Sequence, residues 1–355
     1  MNEELEKIVF IIPSLDPDDK MPLYVNDLIN NGCKHVVVVN DGSHNETLHY
    51  FDEIKNKKEV VILNHEVNKG KGAALKSAFS YVLNNLKDIK GVVTADADGQ
   101  HSTSDTIKVA NRLLETNNIV LGTRNFNEKN VPFKSRNGNK ITSFIFKLLF
   151  GKWINDTQTG LRAIPYDYLN TCLELDGDRY EYEIKMLIKI VEDKKEIIEE
   201  PIETIYFDSN RASHFNPFKD SFKIYKIMFS KLINYAKSSF ISYLFELALY
   251  SVLINTVFDN ILEASACILA STLVSRFFSS IINYLINRNK VFKSNENLSK
   301  TLIKYVVLVF CQAMLSSFLI SLLFKATSFD TTVIKVFVDL LLSIISFKVQ
   351  DAWVF

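Results

Sequence analysis

Apolar and polar positions follow two different rhythms along this chain. Up to about residue 228, apolar runs of strand length are separated by stretches with helical spacing and polar faces, the pattern of a mostly parallel sheet covered by helices. It predicts strands at residues 8–12, 36–39, 59–63, 91–95 and 118–121, and helices at 20–30, 46–55, 72–84 and 104–115. From residue 240 the rhythm changes to four apolar stretches, near 240–258, 261–286, 301–324 and 332–347. Each has about the length needed to cross ~30 Å of hydrocarbon as a helix, the last only just. Helices of a soluble bundle would repeat a charged face, and residues 305–324 contain no charge at all. The expected architecture is therefore an α/β domain at residues 1–228 followed by a four-helix transmembrane α domain at 229–355.

Charge gives this arrangement a direction. Arg288, Lys290 and Lys293 lie between the second and third stretches, with Lys300 and Lys304 at the next helix start, whereas the connection at Asp259 and Asn260 has no basic residue. The positive-inside rule then places the middle loop, the first domain and the C-terminus in the cytoplasm, although Lys325 and Lys335 reduce the asymmetry. The N-terminal MNEELEKIVF agrees, having neither the basic start nor the cleavage site of a signal peptide. The 41 basic and 41 acidic residues give no overall attraction to nucleic acid. Cys33, Cys172, Cys267 and Cys311 are too scattered for a zinc site or a disulfide framework, and read as reduced core or membrane residues. Inside the spans Glu246, Arg276, Gln312 and Asp339 are costly in lipid, so they are expected to face a polar interior, with Arg276 paired to Glu246 or Asp339.

Three segments carry candidate chemistry. The strand at 91–95 runs into Asp96-Ala97-Asp98-Gly99-Gln100-His101, with two carboxylates and an amide at the edge where open α/β sheets bind ligands. Such a set suits a hard divalent cation that also holds a diphosphate, although an acidic turn alone has the same composition. The strand at 36–39 ends in Asn40-Asp41-Gly42-Ser43, where Asp41 can accept from a nucleobase or ribose, or the segment is simply a turn. Asn68-Lys69-Gly70-Lys71-Gly72 precedes a helix and offers glycines, two cations and free amides for a phosphate; its spacing is not that of a P-loop.

Together with Ile11-Ile12-Pro13-Ser14, Gly122-Thr123-Arg124 and Asp156-Thr157-Gln158-Thr159-Gly160-Leu161-Arg162, these segments resemble, in family order, the family 2 glycosyltransferases with a GT-A (Rossmann-like) fold. They are most similar to the polyprenyl-phosphate glycosyltransferases of the dolichol-phosphate mannose synthase type. The resemblance implies that Pro13, Asp41, Ser43, Lys71, Asp96 and Arg211 hold the nucleotide sugar. It implies that Asp98 and Gln100 hold Mg²⁺ or Mn²⁺, that Asp96, Asp98 and Asp156 form the catalytic set, and that Arg124 and Arg136 grip the acceptor phosphate. A lipid phosphate is already ionised, so Asp156 is expected to position rather than act as base. Arg211 and His214 fall in a segment resembling the family's late loop over the diphosphate. The chain departs from the family at Leu15-Asp16-Pro17, where Tyr-Asn-Glu is usual; either Asp16 or Asp18 replaces the glutamate or the loop is merely acidic.

The last third resembles the GtrA-like four-helix membrane family at Asn283-Tyr284-Leu285-Ile286-Asn287-Arg288, Val291-Phe292 and Trp353-Val354-Phe355, without the arginine expected shortly before the tryptophan. That family is implied in handling or flipping polyprenyl-linked sugars, and here it serves that end or only anchors. Residues 139–154 combine phenylalanines and leucines with Lys140, Lys147 and Lys152, as in a helix lying among lipid headgroups, or form a core helix under the sheet. The expected function is transfer of a hexose from a UDP- or GDP-sugar to a polyprenyl phosphate at the cytoplasmic face of the cell membrane. Alternatives are transfer to a lipid or glycan hydroxyl, and a flippase or scaffold with a vestigial transferase half. The partners follow as nucleotide sugar, lipid phosphate and membrane, with no nucleic acid and with homo-oligomerisation left open.

Overall fold

The near-continuous apolar run of β1 (Ile8–Ser14) suits a strand buried on both faces, and in the computed structural model it lies inside a seven-stranded sheet. The structure describes residues 3–128, 131, 133–203, 217–257, 263–327 and 330–355. The chain divides into two compact units, Met1–Met228 and Phe229–Phe355.

In the first unit β1 is followed by α1 (Lys20–Asn30), β2 (His35–Asn40), the short α2 (Leu48–Asp52), β3 (Val60–Asn64), α3 (Lys71–Asn85), β4 (Gly91–Thr94), α4 (Thr103–Thr116) and β5 (Ile119–Arg124). Then come α5 (Phe133–Phe150), β6 (Arg162–Pro165), α6 (Leu169–Leu173), α7 (Glu181–Glu192), β7 (Ile197–Ile202) and α8 (Pro217–Met228). The sheet order is β3-β2-β1-β4-β6-β5-β7, with only β6 antiparallel to its neighbours. The expected helix-covered, mostly parallel α/β domain is therefore present. The predicted helix at 46–55 is instead a 3-10 turn, Asn45–Thr47, leading into α2.

The order of strand addition reverses between the parallel β1 and β4: β2 and β3 build outward from one side, and β4 begins the other. The crevice at the carboxyl ends of β1 and β4 is a topological switch point, where such sheets bind ligands. Because β6 runs the other way, the segment before it also arrives at that edge.

The second unit contains α9 (Ser230–Val252), α10 (Ala264–Ile286), α11 (Leu298–Thr327) and α12 (Thr331–Val349). Three helical segments among the described residues, Ser230–Val257, Ala266–Val291 and Leu298–Thr327, are long and apolar enough to cross a membrane. The fourth predicted span does not join them: α12 has 19 residues and carries Lys335, Asp339 and Lys348. Buried Ser238 and Ser242 on α9 and Ser271, Ser275 and Ser279 on α10 recur every fourth residue, a spacing that lets two membrane helices approach closely. Between them Glu246 accepts from Ser279 Oγ at 2.9 Å and from Arg276 Nε at 3.3 Å, whereas Asp339 accepts from Ser316 Oγ and Lys335 Nζ, each at 2.7 Å.

All four cysteines are free. Burial pushes the thiols of Cys33 and Cys172 up to about 12, which keeps them protonated and unreactive.

Candidate active site

A cavity of about 350 Å³ opens at the switch point. β1 contributes Pro13, the segment after β4 contributes Asp96, Asp98 and Gln100, the start of α3 contributes Lys71, and the end of β5 contributes Arg124. Six of the residues expected from sequence thus converge from four separate segments of chain.

Lys71 is the hub. Its ammonium lies 2.6 Å from Asp96 Oδ1 and 3.0 Å from Glu183 Oε2. Burial pushes the Lys71 ammonium down, but the two carboxylates outweigh it and hold the group well above its ordinary value. Burial likewise pushes the Asp96 carboxyl up, and Lys71 with His101 outweighs that, holding it far below the carboxylate range. His101 is buried, neither ring nitrogen has a hydrogen-bond partner among the described residues, and its Nε2 is 3.6 Å from Asp96 Oδ2.

Asp98 behaves in the opposite way. Burial and the neighbouring Asp96 charge push its carboxyl up, and the backbone N–H of Gln100, donating to Oδ1 at 3.0 Å, only partly offsets this. A carboxylate held in such a place is one that a cation would relieve. Among the described residues no cluster of three or more His, Cys, Asp or Glu forms a closed cage. The Asp98 carboxylate and the Gln100 amide, both lining the cavity, offer oxygens of the kind a hard cation takes when its remaining oxygens come from phosphate and water.

Asp41 lies beside the cavity but is buried, and both carboxylate oxygens are engaged. Oδ1 accepts from the Lys69 N–H at 3.0 Å, and Oδ2 from the Gly70 N–H at 2.7 Å. His65 Nδ1 is 2.6 Å from Asp41 Oδ1, and its Nε2 is 2.9 Å from Ser77 Oγ. Asp41 thereby tethers the loop that delivers Lys71, and His65 ties that tether to α3. Replacing His65 with alanine is expected to raise KM for the nucleotide sugar on the order of tenfold, with a smaller change in kcat, as a hydrogen bond to a charged group is lost. Steady-state kinetics with both substrates varied checks this.

Ser43 Oγ accepts from the Asp16 N–H at 2.9 Å. The Asp16 carboxylate accepts from the His44 N–H at 2.7 Å, and Asp18 accepts from Lys20 Nζ at 2.9 Å, so both acids of the departing segment already have partners.

Arg124 and Asp156 form a bidentate pair, Nε to Oδ2 at 2.7 Å and Nη2 to Oδ1 at 3.2 Å, with Asp156 completely buried. Arg136 is not brought to the cavity lining: its Nε donates to the Phe126 carbonyl at 2.9 Å and its Nη2 to the Glu128 carbonyl at 2.6 Å. Arg211 and His214 lie outside the described residues. Gly160, in the segment before β6, faces Asp96 so closely that an added Cβ would run into the carboxylate. Substituting Gly160 with alanine is expected to lower kcat/KM on the order of 10²-fold by displacing Asp96, with the melting temperature much less affected.

Sequence reasoning missed Glu183, Arg179 and Tyr180, which reach the cavity from the start of α7 and the loop before it. An acid in a helix's first turn reads as a partner of the helix dipole, so Glu183 carried no separate signal. Buried Arg162 fixes this corner by donating from Nη1 to the Glu183 carbonyl at 2.8 Å.

Residues 10–172 match the profile of Glycosyl transferase family 2. An uncharacterized protein of Methanocaldococcus jannaschii is 31% identical over 232 residues, covering 64% of this chain and 93% of the relative. The UDP-N-acetylglucosamine--dolichyl-phosphate N-acetylglucosaminyltransferase of Methanococcus voltae is 31% identical over 251 residues, 64% of this chain and 99% of that enzyme. Among solved structures, glucosyl-3-phosphoglycerate synthase from Mycobacterium tuberculosis with Mn²⁺, UDP and phosphoglyceric acid is similar over 64% of this chain and 80% of its own, with 16% identity and a TM-score of 0.47. At that distance the structural likeness carries no residue or ligand across. The chain belongs to glycosyl transferase family 2, and it is a glycosyltransferase.

Proposed function

We propose that this enzyme moves a hexose from a nucleotide sugar to a polyprenyl phosphate at the cytoplasmic face of a membrane. The observation that carries the reading is the meeting, in one crevice, of an acidic diphosphate-side cluster at Asp96 to Gln100 with a guanidinium at Arg124. The Methanococcus voltae relative acts on a dolichyl phosphate, and three long apolar helices suit a lipid acceptor here.

Asp98 and Gln100 would hold a divalent cation, which would take up charge on the departing nucleoside diphosphate. Lys71 then stands where it can exchange its contact with Asp96 for a phosphate oxygen. Pro13 and the Asp41-tethered loop form the nucleoside side of the crevice. Arg124, oriented by Asp156, presents a planar donor group to the acceptor phosphate. The lipid phosphate oxygen attacks the anomeric carbon as the bond to the diphosphate breaks, and no proton need be removed from the nucleophile. A hydroxyl acceptor would need a base, and the buried Asp156, with both oxygens held by Arg124, is poorly placed to be one.

Offering the purified protein polyprenyl phosphate and the corresponding polyprenol in competition tests this. Sugar should pass only to the phosphate; transfer to the alcohol would overturn the reading.

A further inference from the structure

We propose that the Glu246–Arg276 ion pair lies in an interface between two copies of this chain, in which each Arg276 also meets the partner's Glu246. The two residues stand on α9 and α10, in segments long and apolar enough to cross a membrane. Glu246 is eleven residues before Val257 and Arg276 ten residues after Ala266, about 15 Å along either helix from that end. In a hydrocarbon core of ~30 Å both charges then sit at mid-depth. Arg276 Nε is 3.3 Å from Glu246 Oε1, and Ser279 Oγ donates to Oε2 at 2.9 Å. The Glu246 side chain is thereby held against the helix pair, 22% exposed, whereas that of Arg276 is 72% exposed. Among the described residues Glu246 is the one side-chain partner of Arg276, so the Nη donors of the guanidinium have no acceptor there.

Charge chooses the occupant. Donors left at mid-depth need acceptors that lipid tails do not supply. Arginines near helix ends reach the headgroups, but one at mid-depth does not. Arg276 shares its side of α10 with Leu269 and Leu273, three and seven residues earlier and each 60% exposed. The result is an apolar stripe that carries one cation beside one anion, a surface able to complement itself. A two-fold axis along the membrane normal keeps every residue at its own depth. Each Arg276 then faces the partner's Glu246, and no like charges are stacked. A carboxylate has about four lone-pair sites, so Glu246 can accept from both arginines at once. The second copy thus supplies the acceptor that each guanidinium lacks, whichever acceptor the enzyme glycosylates.

The full chain, fused to a fluorescent protein and diluted in vesicles of phosphatidylcholine and phosphatidylglycerol, is counted by single-molecule photobleaching. The wild type should bleach mostly in two steps. Arg276→Glu gives each copy two anions and Glu246→Arg gives it two cations, so each variant alone should bleach mostly in one step. Reconstituted together in two colours, the variants should pair with each other and recover the wild-type fraction of dimers, which misfolded chains would not do. A wild type that stays single at every density, or variants that pair with themselves as the wild type does, would overturn the proposal. Variants that stay single when mixed would overturn the crossed pairing. A second measurement changes no charge. On a Cys311→Ser background, Leu273→Cys should oxidise to a cross-linked dimer in the membrane, whereas Phe310→Cys, 66% exposed on α11, should not. Equal cross-linking at both positions, or none at 273, would overturn the interface.

Discussion

Replacing Asp98 with alanine should lower kcat by roughly 10³-fold or more, the scale of the several kcal/mol that a metal contributes to transition-state charge stabilisation. The fold should not suffer. Burial and the Asp96 charge raise the Asp98 carboxyl above its value in the unfolded chain. Ionisation at neutral pH therefore works against the native state, and removing the group should leave the melting temperature equal or higher. A chelator should reduce the wild type to a similar residual rate and add little to the variant, since both remove one interaction. Wild-type turnover in Asp98→Ala, or full chelator sensitivity remaining in it, would contradict the assignment.

Arg124 should show the reverse balance. Arg124→Ala leaves the fully buried Asp156 carboxylate without its bidentate partner, which costs about 3–5 kcal/mol for a buried pair broken on one side. The variant should therefore lose both stability and transfer. Adding Asp156→Ala removes the stranded charge and should recover much of the melting temperature but none of the activity. Arg124→Lys keeps the charge and loses the planar fork, so it should retain the fold better than it retains acceptor affinity. Recovery of transfer in the double variant would show that Arg124 serves only to neutralise Asp156.

The first five strands were legible because each is an apolar run, buried in the sheet except for β3, which is half-buried at its edge. β6 and β7 were not. Arg162–Pro165 opens on a buried arginine and closes on a proline, and Ile197–Ile202 contains two glutamates and Pro201 at the sheet's edge, where strand propensity and alternation both fail. Asp96 and Asp98 stood out because they follow directly on a buried strand. Their counter-charge was only half visible: Lys71 stands in a glycine-rich loop, but Glu183 comes from α7, over a hundred residues further on, and no local pattern links them. Asp41 was visible as a strand-end acid, but its engagement with the Lys69 and Gly70 amides was not. That engagement depends on Gly42 at φ +74, where an added Cβ would meet the Val67 backbone. α5 begins at Phe133 rather than at residue 139, which places Arg136 near the helix start, where it serves carbonyls of the preceding loop. The fourth expected span, 332–347, falls on α12, which is apolar but carries Lys335 and Asp339 within that stretch and Lys348 just after it.

The central claim is tested most directly by incubating the purified full chain with radiolabelled nucleotide sugars, polyprenyl phosphate and Mg²⁺ or Mn²⁺, then extracting lipid. Labelled polyprenyl lipid should form with the cation and vanish both with chelator and in Asp98→Ala. Absence of labelled lipid with every UDP- and GDP-sugar tried, from a protein that remains folded, would contradict the account.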